Sequence, residues 1–237
     1  MASEVHSDAP RIAYLLHERP YRETSLIVEI FGREEGRLSL LAKGARAAGR
    51  RGERLRPFAR YALQWRGTSE LPLLHGRESL ETPLVLHGVS LFCGLYLNEL
   101  LVRFLHRHDP HPCLFDAYCN TLGVLAAAGD AEQALRRFEL ALLRETGYGL
   151  SLETDALSGE PVQPTRTYRY LPEHGIVPEN RGPDLLSGAT LLALHSGMEL
   201  DVPQRREAKG LLRRIIHFHL EGKPLKSRDL FRLVQSA

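Results

Sequence analysis

The densest chemistry in the chain is cationic. Residues 43–60 read KGARAAGRRGERLRPFAR and set Lys43, Arg46, Arg50, Arg51, Arg54, Arg56 and Arg60 against one acid, Glu53. The whole chain carries a formal net charge of +2, so this local +6 leaves the other residues at −4. The molecule is therefore a mildly acidic protein with one basic segment set into it. Gly44, Gly49 and Gly52 interrupt the arginines, and no large apolar residue precedes Leu55. Such a segment reads as a flexible loop that cannot bury itself, and its crowded positive charge is neutralised best by a polyanion. Lys43, Arg46, Arg50, Arg51, Arg54 and Arg56 are the primary candidate phosphate contacts, able to follow a nucleic-acid strand without reading its sequence. A solvated loop that serves only solubility is the alternative.

Further along, Arg205, Lys209 and Arg213 recur at i, i+4 and i+8. They span about 12 Å of helix, either as a second DNA track or as the wet face opposite Leu212, Ile215 and Ile216. Arg136 and Arg137 sit in ALRRFELALL, where Leu140 and Leu143 follow Arg136 at i+4 and i+7. A cation beside an apolar strip suits an acidic, hydrophobic peptide.

HRHDPH supplies His106, His108, Asp109 and His111 and is superficially similar to the HxHxDH run of metal-dependent hydrolases. The aspartate stands one position early and a helix precedes the run, so a polar interhelical loop is preferred to a metal site. His217 and His219, two apart on a helix, face different sides and form no ligand pair. GxxxxGK[ST], GxSxG and GxGxxG are absent, and Gly147-Tyr148-Gly149 lacks a third glycine. Neither nucleotide cradling nor a hydrolytic elbow is supported, and no enzyme activity, cofactor or metal is predicted. The competing functions are a metal-dependent nuclease using residues 106–111 and a scaffold whose basic loop meets an acidic protein.

The elements that position these residues follow from periodicity. Residues 11–18, 24–31, 37–43, 60–66 and 71–75 read as five short strands. Turn residues separate them, with Arg19-Pro20-Tyr21 after the first and residues 32–36 between the second and third. A long loop after the third strand suits a small closed barrel of the OB type. Tyr21, Phe58, Tyr61 and Trp65 are then either base-stacking rings or core. From Thr82-Pro83 the period becomes helical: 89–106, 114–128 and 131–146 with Asp130 as N-cap, then 187–195, 203–220 and a short terminal helix that Ser227 can cap. The fold class is α+β, an N-terminal OB-type five-stranded β-barrel followed by a mainly helical domain. Residues 1–80 form the barrel and 81–237 the helical domain, which carries an irregular insertion around 147–183 with one strand-like run at 165–171.

The N-terminus shows no basic start before an apolar run. The longest apolar stretch, 89–105, contains Asn98, Glu99 and Arg103. These would be costly in a bilayer, so a cytoplasmic protein is expected. Cys93, Cys113 and Cys119 make no CxxC pair and read as buried reduced thiols.

Taken in order, RPYRETSLIVEIFGREEGRLSLLAKGAR, LRPF at 55–58, GLYLNELL at 94–101, ALRRFELALL at 134–143, GYG at 147–149 and GKPLKSRDLF at 222–231 resemble the RecO family of bacterial recombination-repair mediators. The resemblance covers residues 11–231. It implies an OB barrel with a helical C-terminal domain, binding of single- and double-stranded DNA, and annealing of complementary strands. It also implies loading of recombinase onto DNA coated by single-strand-binding protein (SSB), with RecR and RecF as partners and no nucleotide hydrolysis. The helical domain would capture the C-terminal tail of SSB, at Arg136, Arg137, Leu140 and Leu143. Some members carry a four-cysteine zinc module near 147–183; this chain has no cysteine there, so zinc is not expected.

Overall fold

A computed structural model of the chain describes residues 9–47 and 54–235, with side chains through residue 230. In chain order the elements are β1 (Arg11–Tyr21), β2 (Ser25–Gly32), β3 (Gly36–Ala42), β4 (Arg60–Arg66), β5 (Leu73–Ser79), α1 (Gly88–Phe104), α2 (Pro112–Ala126) and α3 (Ala131–Glu145). There follow β6 (Thr167–Leu171), β7 (Gly175–Pro178), β8 (Leu186–Ser187), α4 (Gly188–Ser196), α5 (Val202–His219) and α6 (Lys226–Gln235). The last strand of the barrel ends at Ser79 and the first helix begins at Gly88. Packing nevertheless divides the chain into one compact unit drawn from Met1–Ala128 and Lys226–Ala237 and a second from Gly129–Leu225.

In the first unit the strands close in the order β1-β2-β3-β5-β4, with a parallel contact between β3 and β5 at Leu41 and Leu73. Alternating residues of the strands, among them Ala13, Leu15, Val28, Ile30, Leu38, Leu40 and Leu63, fill the interior. β1 runs further than its punctuation suggests. Arg19, Pro20 and Tyr21 are not the turn but pair with Ile27, Leu26 and Ser25. β1 meets β4 only over residues 11–14, so Pro20 lies where no second neighbour asks for the N–H it lacks. The actual turn is Arg22 to Thr24, with Arg22 at φ +52.

All eight residues of β2 are buried, because its outer face is covered as well as its inner one. Phe31 and Tyr14 meet Phe115 of α2 at ring separations of 5.4 and 5.6 Å, and Tyr118 stands edge-on to both. Buried Asn98 of α1 joins the layers, donating to the Leu16 carbonyl and accepting from the Tyr118 hydroxyl. Gly94 of α1 leaves room for Phe58, since a Cβ there would lie 2.8 Å from that ring.

Glu99 of α1 caps α6. Its two carboxylate oxygens accept the backbone N–H groups of Lys226 and Ser227 at 3.0 and 2.9 Å, and one also takes the Ser227 hydroxyl. Ser227 is thus a capped residue inside the helix and not its N-cap; a carboxylate supplied by another helix satisfies the orphan donors. Arg228 completes the attachment over the Tyr96 ring, 5.3 Å from its centroid.

The second unit contains α3, α4, α5 and a small sheet ordered β7-β6-β8. Asp130 caps α3 as its position predicts, accepting from the Gln133 amide. Asp201 and Gln204 form a reciprocal capping box at the start of α5. Glu207 of α5 repeats the device of Glu99, accepting from the Ser187 amide at the start of α4 and from the Thr190 hydroxyl. The span 147–183 is more ordered than its composition suggests: beyond the single expected strand it forms a β6-β7 hairpin over buried Tyr168, Ile176 and Val177. Cys93 and Cys119 are half-buried, but Cys113 is exposed, contrary to expectation.

Candidate nucleic-acid interface

The basic segment leaves the barrel from the end of β3 and returns at β4, and its two described ends are tied to β1 and the β1–β2 turn. At the outgoing end Lys43 and Arg46 are exposed. The Arg46 amide donates to the Thr24 carbonyl at 2.8 Å and its guanidinium to the Arg22 carbonyl at 3.3 Å. At the returning end Pro57 bridges Leu15, exposed Arg56 donates its amide to the Tyr61 hydroxyl at 2.8 Å, and Arg54 pairs with Glu18 of β1. Arg50 and Arg51 lie outside the described residues. Arg60 is paired with Glu81 at 3.3 Å.

This anchoring brings a cation that the sequence reading passed over. Arg22 sits in the turn that Arg46 grips, its guanidinium 5.2 Å from the centre of the Tyr21 ring. In sequence it is separated from Lys43 by two strands; the β2–β3 hairpin returns the chain to the same end of the barrel. Of the rings considered for base stacking, Phe58 and Tyr61 are buried in packing and Trp65 leans on the barrel core. Tyr21 alone is both partly exposed and beside the cations.

The second line is rearranged. Arg205 pairs with Asp130 at 2.7 Å and donates to the Leu200 carbonyl, and Lys209 pairs with Glu132 at 3.4 Å. Two members of the predicted track are thereby neutralised by the first turn of α3. Arg213 is exposed and has no acid partner among the described residues.

The face expected to take an acidic peptide is also not arranged as its spacing suggests. Arg136 is 5% exposed and holds buried Glu139 at 2.9 Å, and Leu143 is fully buried. The i, i+4, i+7 spacing marked the inward stripe of an amphipathic helix. Arg137 and half-buried Leu140 remain at the surface, with Arg137 donating to the Gly197 carbonyl at 3.1 Å.

The histidine run clasps the barrel. Arg107 bridges Arg37 of β3 and pairs with Glu29, and the His108 amide donates to the Arg37 carbonyl at 2.9 Å. His111 meets Asp109 at 3.2 Å while His106 and His108 point to solvent. Among the described residues no three His, Cys, Asp or Glu side chains gather as a metal ion requires.

Comparison with known proteins decides the family. The family model described as Recombination protein O N terminal matches residues 9–83, and Recombination protein O C terminal matches residues 87–229. The chain belongs to the RecO family of DNA repair proteins. "DNA repair protein RecO" of Methylococcus capsulatus is 50% identical over 223 residues, which are 93% of this chain and 91% of that protein. The proteins of the same name from Nitrosospira multiformis and Halorhodospira halophila are each 44% identical, over 229 and 225 residues; these cover 94% and 93% of this chain and 94% and 95% of the relatives. The barrel and the helical part are thus the two RecO modules, and the motifs quoted for the resemblance fall within them, the last running two residues beyond the second match. No helix among the described residues is long and apolar enough to cross a membrane.

Proposed function

We propose that this RecO-family chain binds single- and double-stranded DNA at the barrel end bearing Arg22, Lys43, Arg46, Arg54 and Arg56, together with Arg50 and Arg51 of the same sequence segment, and that it anneals complementary strands there. The observation that supports this most is the fastening of the basic segment at both ends to one edge of a rigid barrel. Its described ends are thereby held on β1 and the β1–β2 turn, and cations confined to one segment in this way are neutralised best by a polyphosphate. Annealing must overcome phosphate repulsion between two strands, screened only beyond about 8 Å at physiological salt. A basic surface that lowers this repulsion without reading bases accelerates pairing of any complementary pair.

In the cell this activity would work at the nucleoid with RecR, and with RecF, to help load recombinase onto SSB-coated DNA, with no nucleotide hydrolysed by this chain. The SSB tail, acidic and apolar, would be taken by the exposed part of α3, where Arg137 supplies charge beside Leu140. Arg136 and Leu143 would support that face from within.

A strand-annealing assay with labelled complementary oligonucleotides, with and without SSB, tests the proposal. If about six phosphates are neutralised on a single strand, log K against log salt should have a slope of about −4, a loss of roughly 300-fold between 50 and 200 mM. Replacing Lys43, Arg46, Arg50, Arg51, Arg54 and Arg56 with glutamine should abolish both binding and annealing. Unchanged annealing, or a flat salt response, rules it out, and metal-dependent cleavage of the oligonucleotide would point instead to a nuclease.

A further inference from the structure

The GYG motif and the histidines of α5 have no part in the DNA-binding face of the barrel, yet the second unit joins them. Tyr148 stacks on His219, with ring centroids 3.9 Å apart and planes inclined by 24°. Phe218 stands edge-on to the same histidine at 5.3 Å and 78°. Tyr148 is 43% exposed and Phe218 41%. A lone exposed aromatic is ordinary, but two large rings exposed around one shared partner form a surface that water solvates poorly.

The rings are held on firm backbone. The Tyr148 amide donates to the Leu143 carbonyl in the last turn of α3 at 2.7 Å, and the amides of Leu220 and Gly222 close the end of α5 on the carbonyls of Ile216 and His217. Burial lowers the pKa of His219, so its ring is uncharged at neutral pH and the stack is a neutral π surface. Positive charge lies alongside. The backbone of Arg144 passes within 3.6 Å of the position a Cβ on Gly149 would take, and its side chain, 71% exposed, is held only by a 3.7 Å approach to Glu145 that a phosphate can replace.

Flat rings offering exposed area beside a cation match the chemistry of an unpaired nucleotide: a base with a bare face, followed by a phosphate. A base inside a duplex has both faces occupied by its neighbours. We propose that Tyr148, His219 and Phe218 form a base-stacking subsite for single-stranded DNA on the second unit, with Arg144 as its phosphate contact. The inference rests on the proposal that the chain binds DNA, and adds to it a source of single-strand preference that the cationic loop, indifferent to strandedness, does not provide.

The test uses the full chain, a labelled oligothymidylate and a blunt duplex. Tyr148→Ala and Phe218→Ala should each weaken oligothymidylate binding roughly 5- to 100-fold, the range for loss of one stacked base. Duplex affinity and the slope against salt should be unchanged, and Tyr148→Phe should restore the single-strand loss. Thermal melting checks that each variant is folded. Independently of any variant, irradiating the unaltered chain on an oligonucleotide bearing 5-iododeoxyuridine should crosslink Tyr148 or Phe218. Folded ring variants with undiminished single-strand affinity overturn the inference, as do equal losses on duplex and single strand, crosslinks confined to the barrel, or loss of an acidic peptide ligand with DNA binding intact. In these cases glutamine substitution in the barrel loop would still abolish binding, so failure here is distinguishable from failure of the DNA-binding proposal, in which the unaltered chain binds neither DNA.

Discussion

The carbonyl oxygen of Asp109 lies 2.1 Å from the point a Cβ would occupy on Gly36, and Gly36 itself holds φ +68. A conformation open to glycine and a close backbone approach coincide at one residue, and through them the histidine run is seated against β3. Gly36→Ala should therefore lower stability by at least about 2 kcal/mol, read as a fall in the melting temperature. His106→Ala and His108→Ala, at exposed positions, should stay within about 0.5 kcal/mol with or without a chelator. A chelator-sensitive melt would contradict the assignment of this run as a clasp.

Glu99→Ala should loosen α6 without unfolding the barrel. Three hydrogen bonds to the start of that helix are lost. The cost should resemble that of a lost cap, about 1 to 2 kcal/mol, and appear as faster amide exchange at Lys226 and Ser227. Ser227→Ala, which removes one of the three bonds, should have the smaller effect.

Arg136 and Arg137 are neighbours in sequence with opposite expectations. Arg136→Ala removes a buried ion pair to Glu139, 1% exposed, and should destabilise by about 3 to 5 kcal/mol. Arg137→Ala should leave the melting temperature nearly unchanged while weakening capture of an acidic, apolar peptide. Calorimetry with an SSB tail peptide separates the two.

Glu18 restrains one cation of the proposed DNA face. Glu18→Gln frees Arg54 from its ion pair. Single-strand affinity should rise, because Arg54 no longer gives up an ion pair on reaching the strand, while the slope against log salt should stay at about −4, since the number of phosphates neutralised is the same. Unchanged affinity would mean that Arg54 does not reach the strand.

Asp130 gives a pH-dependent outcome. Its carboxyl is held below its ordinary pKa of 3.8, first by the Gln133 amide it caps and then by Arg205. A depressed carboxylate contributes stability that is complete above its unfolded pKa and disappears as pH falls through the lower folded value. Asp130→Ala should thus cost about 1 kcal/mol at neutral pH. The gap from the unaltered chain should close below pH 3.8, as measured by denaturant unfolding across a pH series.

The sequence by itself determined the strands of the barrel, the limits of most helices and the Asp130 cap. These follow from the alternation of side chains along a strand, the helical period and the short reach of a capping side chain, all of which act within a few residues. It also located the basic segment, because charge density is a property of composition. What it did not contain was which side of an amphipathic element faces inward when both sides carry charge. Arg136 and Arg137 look alike until α3 is packed, and Arg205 and Lys209 look unpaired until the acids of α3 lie beside them. The caps supplied by Glu99 and Glu207 and the stack of Tyr148 on His219 likewise join residues far apart in the chain. Such partners are chosen only when whole elements dock, since burying a charge or an orphan backbone group is tolerable only where its complement arrives with the neighbouring element.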